Sequence, residues 1–200
     1  VMGSDETIAA AAWTSTRSEI EEERRARIPE LLNYLWREGH TSPFEHTTLQ
    51  FRLLVDDATH VQMLRHRVGC SVNVESSRYK AYRTDRWLLP SDWSPHAREM
   101  LNNHARLSFS LYHQLLEELE KSGLTRQRAK ESARFFLPKC LQVEMMWTCN
   151  MRSFAHFQHL RNSKHSQREI RCVAKKMLRA VEQSGHFPHT LAAMGLLEAK

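Results

Sequence analysis

Residues 47–55 read Thr-Thr-Leu-Gln-Phe-Arg-Leu-Leu-Val (TTLQFRLLV). Leu49, Phe51 and Leu53 alternate with Thr48, Gln50 and Arg52, a period of two that puts apolar side chains on one face of a strand and polar ones on the other. A second apolar, β-prone run, VEMMWTC at 143–149, predicts another core strand. The flanking sequence reads as helix. Asp5 opens a short helical stretch, DETIAAAAW. Ser18 and Glu21 form an S-x-x-E capping pattern that opens a long helix, and its Ile28, Leu31, Leu32 and Leu35 fall at i, i+3, i+4, i+7, one buried stripe ended by Gly39. Asp57 is placed to cap a helix through Val61 and Leu64 to the arginines that follow. Trp87-Leu88-Leu89-Pro90 closes a loop. Residues 94–122 and 126–136 predict two helices broken near Gly123, and 151–160, 166–183 and 187–197 three more. With no repeat and no low-complexity linker, residues 1–200 are expected to form one domain of the α+β class, a small sheet packed with several helices.

The composition, 41% apolar and 26% charged, is that of a folded chain with a sizeable core. A net charge of +6 favours anionic partners without choosing among them. Much of the basic excess falls late, in Arg161, Lys164, Arg168, Arg171, Lys175, Lys176 and Arg179. The cysteines at 70, 140, 149 and 172 form no C-x-x-C pair, and no secretory signal is visible, so a reduced, cytoplasmic setting is expected. No apolar run approaches the roughly 20 residues that span a bilayer. The chain opens on Val1, which leads us to expect an upstream segment that is absent here.

Three stretches concentrate groups able to do chemistry. In RHRVGCSVNVESSRY (65–79), Arg65, His66, Arg67 and Arg78 stand with Asn73, Ser76 and Ser77. A helix dipole explains one terminal arginine but not this density; arginine forks with hydroxyls and backbone amides make an anion cradle. Gln62 and Arg65, three apart, are expected on one helix face. Cys70 reads as a packing residue rather than a nucleophile. In GHTSPFEH (39–46), Pro43 fixes a turn between helix and strand, and His40, Ser42, Glu45 and His46 can converge; a merely polar loop is the bland alternative. In NMRSFAHFQHLR (150–161), Arg152, His156 and His159 are expected to share a face, with Phe154, Phe157 and Leu160 as the core stripe. Two histidines at i, i+3 without a third ligand argue weakly for metal. The chain has no G-x-G-x-x-G, no Walker loop and no G-x-S-x-G elbow.

Taken together and in this order, RHR with its following serine, GHTSPFEH, NMRSFAHFQHLR and H-x-Q-x-E at 165–169 resemble the signature of the flavin-dependent thymidylate synthases across nearly the whole chain. The resemblance implies a mainly antiparallel sheet with packed helices and a homotetramer with active sites between subunits. It implies FAD reduced by NADPH, methylene-tetrahydrofolate as carbon donor and C5 of a uridylate, dUMP, as acceptor. Carried over by motif, Gln62, Arg65, Arg134 (in ARFFLP), Arg161 and Ser76-Ser77-Arg78 would hold the nucleotide. Arg161 would also polarise the pyrimidine. His40, Ser42, Glu45, Arg65, His66, Arg67, Asn150, Arg152, His156 and His165 would line the flavin site.

The match has departures. Eight residues separate Arg67 from Ser76, one more than the family's commonest form, and the usual Asn-Glu pair reads Asn73-Val74 with Glu75 displaced. Ser163 stands where an acid is common, and Arg168 where an aromatic is. A reshaped ribose-phosphate cradle would admit UMP as well as dUMP, as in relatives from nucleoside-antibiotic pathways. The competing class is a basic nucleic-acid-binding protein, favoured by the late basic helix and disfavoured by the absence of Trp or Tyr within it.

Overall fold

Three strands, β1 (Leu49–Asp56), β2 (Cys70–Val74) and β3 (Gln142–Cys149), form one sheet in the order β1-β3-β2. The computed structural model describes residues 1–16, 22–76, 78, 82 and 86–197. Both neighbours of β3 run antiparallel to it. Gln50 Nε2 meets Thr148 Oγ1 at 3.4 Å and Arg52 pairs with Glu144; on the other side Glu75 N donates to Glu144 O at 2.9 Å and Asn150 N to Gly69 O at 3.3 Å. Along β3 every second side chain (Val143, Met145, Trp147, Cys149) is buried, the alternation expected for a strand with one core face.

β2 is absent from the sequence-based expectation, which read it as a polar run. It occupies a sheet edge and, among the described residues, pairs with β3 alone. Cys70, Val72 and Val74 are half-buried while Ser71 and Asn73 face out. An edge strand keeps its polar residues in water, so its short apolar period is easily taken for a loop.

The helices are α1 (Asp5–Trp13), α2 (Glu22–Arg25), α3 (Ile28–Arg37), α4 (Asp57–Met63), α5 (Pro95–Lys121), α6 (Arg126–Ala133), α7 (Met151–Arg161), α8 (Arg168–Gln183) and α9 (Pro188–Ala193). The long helix expected from residue 18 is instead two, α2 and α3. Pro29 within a continuous helix would lack its N–H and clash with the carbonyl of Arg25; the helix restarts so that Pro29 falls in the first turn, where no intrahelical bond is needed. Ser18 and Glu21 lie outside the described residues. Ile28, Leu32 and Leu35 are buried as the stripe requires. Asp56, not Asp57, caps α4, its Oδ1 accepting from Thr59 N at 2.9 Å. Asp57 meets Lys139 Nζ at 2.5 Å, and His60, its Nδ1 3.5 Å away, together with that lysine holds its carboxyl near 2. The helix expected over 126–136 ends at Ala133, and Arg134–Phe136 is a single 3₁₀ turn.

The chain divides into two compact units. The first comprises Val1–Phe51, Arg65–Val72 and Met146–Lys200. Its core holds Ile8, Leu32, Phe44, Trp147, Phe154, Phe157, Ile170, Met177, Phe187 and Leu191, all buried. Phe51 stacks on Phe154 at 5.9 Å, and Trp147 packs on Phe157 at 5.1 Å. The buried Asp5 carboxylate fastens α1 to the start of α9, accepting from the backbone N–H groups of His189 and Thr190 at 2.9 Å each and from the Thr190 hydroxyl. Three donors on one carboxylate satisfy a helix N-terminus that would otherwise bury open N–H groups. The second unit comprises Arg52–Leu64 and Asn73–Met145. There α5 buries Ala105, Phe109, Tyr112 and Leu116, and Trp87 packs on Phe109 at 5.5 Å while its Nε1 donates to Asn102 at 3.0 Å. Among the described residues, no helix is long and apolar enough to cross a membrane.

Candidate active site

A cavity of about 600 Å³ opens in the first unit, between the loop at 65–70, helix α7 and the 3₁₀ turn Ser42–Glu45. The loop is fixed from below. Asn150 caps α7, its Oδ1 accepting from Ser153 N at 2.9 Å, while its own N–H donates to Gly69 O. Ser153 Oγ donates to Val68 O at 2.8 Å. Thr47 Oγ1 accepts from Met151 N at 3.1 Å and so holds the same end of α7 to the start of β1. Gly69 has φ +64, and a Cβ there would lie 2.4 Å from Ser153 Oγ and 2.8 Å from Asn150 Nδ2. Only glycine allows both the left-handed turn and this close approach.

Arg65, Arg67, Arg152 and Arg161 bring four cations to the cavity, against a single acid among the described residues, Glu45. Arg152 pairs with Glu45 across it. Arg161 Nε donates to His66 Nε2 at 3.0 Å, which requires the His66 proton to sit on Nδ1. His66 is 8% exposed and lies edge-on to Phe157 at 5.0 Å and to His156 at 5.9 Å. Burial, then the positive charge of Arg161, then His156, lower its pKa to about 4, so the imidazole is neutral at pH 7. Burial pushes the Cys70 thiol up to about 11, leaving it protonated and no nucleophile.

Of the residues expected at the flavin, Glu45, Arg65, His66, Arg67, Asn150, Arg152 and His156 line this cavity, joined by Arg161 from the nucleotide set. His40, Ser42 and His165 do not. His40 stacks toward Tyr34 at 6.2 Å, and the His165 backbone N–H donates to Ser163 Oγ at 3.3 Å. Leu160, expected in the core, is 48% exposed and forms part of the wall. His159 leaves the face shared by Arg152 and His156: its Nε2 lies 3.0 Å from Met194 O and its ring packs on Trp36. Among the described residues, no three His, Cys, Asp or Glu side chains gather as a metal group. Gly69 and Ser153 were missed; the signal for both was the glycine two residues after RHR, which marks a tight turn against a helix cap.

The remaining nucleotide candidates belong to the second unit. Gln62 sits on α4, whereas Arg65 lies past that helix's end, so the helix face expected to be shared by the two is not formed. Arg78 N donates to Ser76 Oγ at 3.3 Å, and Arg78 Nε to Glu131 at 2.9 Å. Arg134 opens the exposed 3₁₀ turn beside Phe135, which is 82% exposed. Ser77 lies outside the described residues.

The cavity fits a planar cofactor carrying phosphates: arginine forks for the anion, a loop that Gly69 seats against the α7 cap, and the apolar Leu160 for a ring. Sequence comparison agrees. Residues 1–188 match the model of the family described as thymidylate synthase complementing protein. A flavin-dependent thymidylate synthase of Thermotoga neapolitana is 33% identical over 181 residues, covering 87% of this chain and 79% of that protein. One from Streptomyces coelicolor is 31% identical over 201 residues, covering 90% and 78%. One from Streptomyces avermitilis is 31% identical over 216 residues, covering 94% and 85%. The chain belongs to the family of the flavin-dependent thymidylate synthases.

Proposed function

We propose that this enzyme converts dUMP to dTMP, taking its one-carbon unit from methylene-tetrahydrofolate and using FAD reduced by NADPH. The observation that carries the reading is the apposition of the RHR loop to the capped start of α7, which gathers four arginines and one neutral histidine around a single cavity. FAD, when bound, supplies the hydride. The chain's own part is binding and polarisation. Arg65, Arg67 and Arg152 meet anionic oxygens, with Asn150, His156 and Glu45 completing the wall, and His40, Ser42 and His165 contribute from the same unit. Arg161 donates to a pyrimidine carbonyl and stabilises the enolate-like negative charge on that oxygen which makes C5 nucleophilic. His66, neutral and accepting from Arg161 Nε, holds that guanidinium in place without competing for the anion. Gln62, Arg65, Ser76, Ser77, Arg78 and Arg134 hold the uridylate and its phosphate in sites shared between the subunits of a homotetramer. No thiolate is required, in keeping with the raised Cys70 pKa.

The test is direct. Purified protein should be yellow, should bleach on anaerobic addition of NADPH, and should release tritium from 5-tritiated dUMP only when methylene-tetrahydrofolate is present. A colourless protein that takes up no FAD and releases no tritium would reverse the proposal.

A further inference from the structure

A second cavity, of about 310 Å³, lies at the start of α8 and is lined by Asn162, Lys164, Arg168, Arg171, Cys172 and Lys175. Among the described residues that line it, four are cations and none is an acid. Arg168, Arg171 and Lys175 recur at i, i+3, i+7, on the side of α8 opposite its buried Ile170, Ala174, Met177 and Val181. The arrangement is more than a solvated helix face, which is convex and leaves its charges apart. Here Arg168 and Arg171 are half-buried in a concavity. Arg171 Nη1 donates to Lys164 O at 3.2 Å, which draws the preceding loop, and Lys164 with it, over the helix start. The neighbouring acid Glu169 does not line the cavity; it accepts from Gln167 at 2.8 Å. Setting Lys164, Arg171 and Lys175 around one recess costs Coulomb energy that a bound anion would offset. The cavity is also close in sequence to the first one: Asn162, the C-cap of α7, lines it, and the preceding residue, Arg161, lines the other.

We propose that this recess is a second anion site, which takes a phosphoryl or pyrophosphoryl group of a small molecule. The lining offers donors from several directions, two arginine forks, two ammonium groups and an amide. A tetrahedral phosphate can accept from all of them, whereas a planar carboxylate accepts chiefly in its own plane. The site is independent of the flavin and uridylate assignment, because none of its residues belongs to that cavity.

Calorimetric titration of the intact, flavin-loaded protein with pyrophosphate tests it, with flavin content measured in each sample. Arg171→Gln/Lys175→Gln should weaken binding about a hundredfold, roughly tenfold per cation removed, and Lys164→Gln on the loop about tenfold, with flavin content unchanged. Competition by NADP⁺ but not NAD⁺ would identify the group as a dinucleotide 2′-phosphate; pyrophosphate binding without such competition would assign it to another phosphoryl compound. Absence of pyrophosphate binding would overturn the proposal. So would equal affinity in these variants and the wild type, loss of binding in Arg65→Gln/Arg67→Gln instead, or tighter binding of an oligoglutamate than of pyrophosphate.

Discussion

The Arg161 guanidinium and the His66 imidazole form a hydrogen-bonded pair at 3.0 Å in which the arginine is the donor. The geometry makes His66 a positioning residue: it lines the cavity, and its described hydrogen bond goes to Arg161. Replacing it with glutamine keeps an acceptor, whereas leucine fills the space and leaves Arg161 Nε without that partner. We expect His66→Leu to lower kcat for tritium release about tenfold to a hundredfold, and His66→Gln to recover most of it, with little change in the KM for uridylate. Equal activity in both variants would show that the pair does not orient the arginine.

The same pair predicts a pH dependence of stability. The imidazole has a folded pKa near 4, below its ordinary 6.5. Between those values the unfolded chain binds a proton that the folded one refuses, so the contribution is complete above about 6.5 and is lost as pH falls toward 4. Its ceiling is about 3 kcal/mol. Thermal unfolding followed from pH 7 to pH 4 should show a steeper loss in the wild type than in His66→Gln, which has no proton to take up. Parallel curves would dismiss the linkage.

A separate prediction concerns Asp5. Its carboxylate accepts from His189 N, Thr190 N and the Thr190 hydroxyl, all at the start of α9. Asp5→Ala leaves buried donors open and should cost roughly 2–4 kcal/mol, seen as a lower denaturant midpoint with an unchanged slope. Asp5→Asn, which retains one acceptor oxygen, should cost about half as much. A shift below about 0.5 kcal/mol for Asp5→Ala would mean that water replaces the carboxylate there.

Much of this arrangement was legible in the chain, and what was not has physical reasons. The alternation in 47–55 marked β1 because one buried face imposes a period of two, and the apolar, β-prone run at 143–149 marked β3. β2 escaped because an edge strand is free to be polar. The cavity's arginines were visible as a dense cationic run, but which of them converge depends on a turn at Gly69 and a cap at Asn150, contacts between segments some eighty residues apart in sequence. Leu160 read as core because its spacing extends the stripe of Phe154 and Phe157; each step of three residues falls short of a full helical turn, so by Leu160 the side chain has rotated off the buried face and faces the cavity. The division of the nucleotide candidates between two units has no signature in local sequence at all.

Gly69 and Ser153 give the most discriminating test of the site's construction. A Cβ at position 69 would stand 2.4 Å from Ser153 Oγ and 2.8 Å from Asn150 Nδ2, and the backbone there has φ +64. Gly69→Ala therefore carries two separable costs, about 1–2 kcal/mol for the left-handed conformation and a further steric term against the two side chains of the α7 cap. Ser153→Ala removes the nearer obstacle and also the hydrogen bond to Val68 O, worth about 1 kcal/mol. If the loop is held as described, the double variant should be less destabilised than the sum of the singles by about 1 kcal/mol or more, since part of the alanine's clash disappears with the hydroxyl. Flavin retention on gel filtration should follow the same order, poorest in Gly69→Ala and partly recovered in the double variant. Strict additivity in both readouts would mean that the loop moves away from α7 to accept the methyl group. The four arginines would then be gathered by something other than this contact.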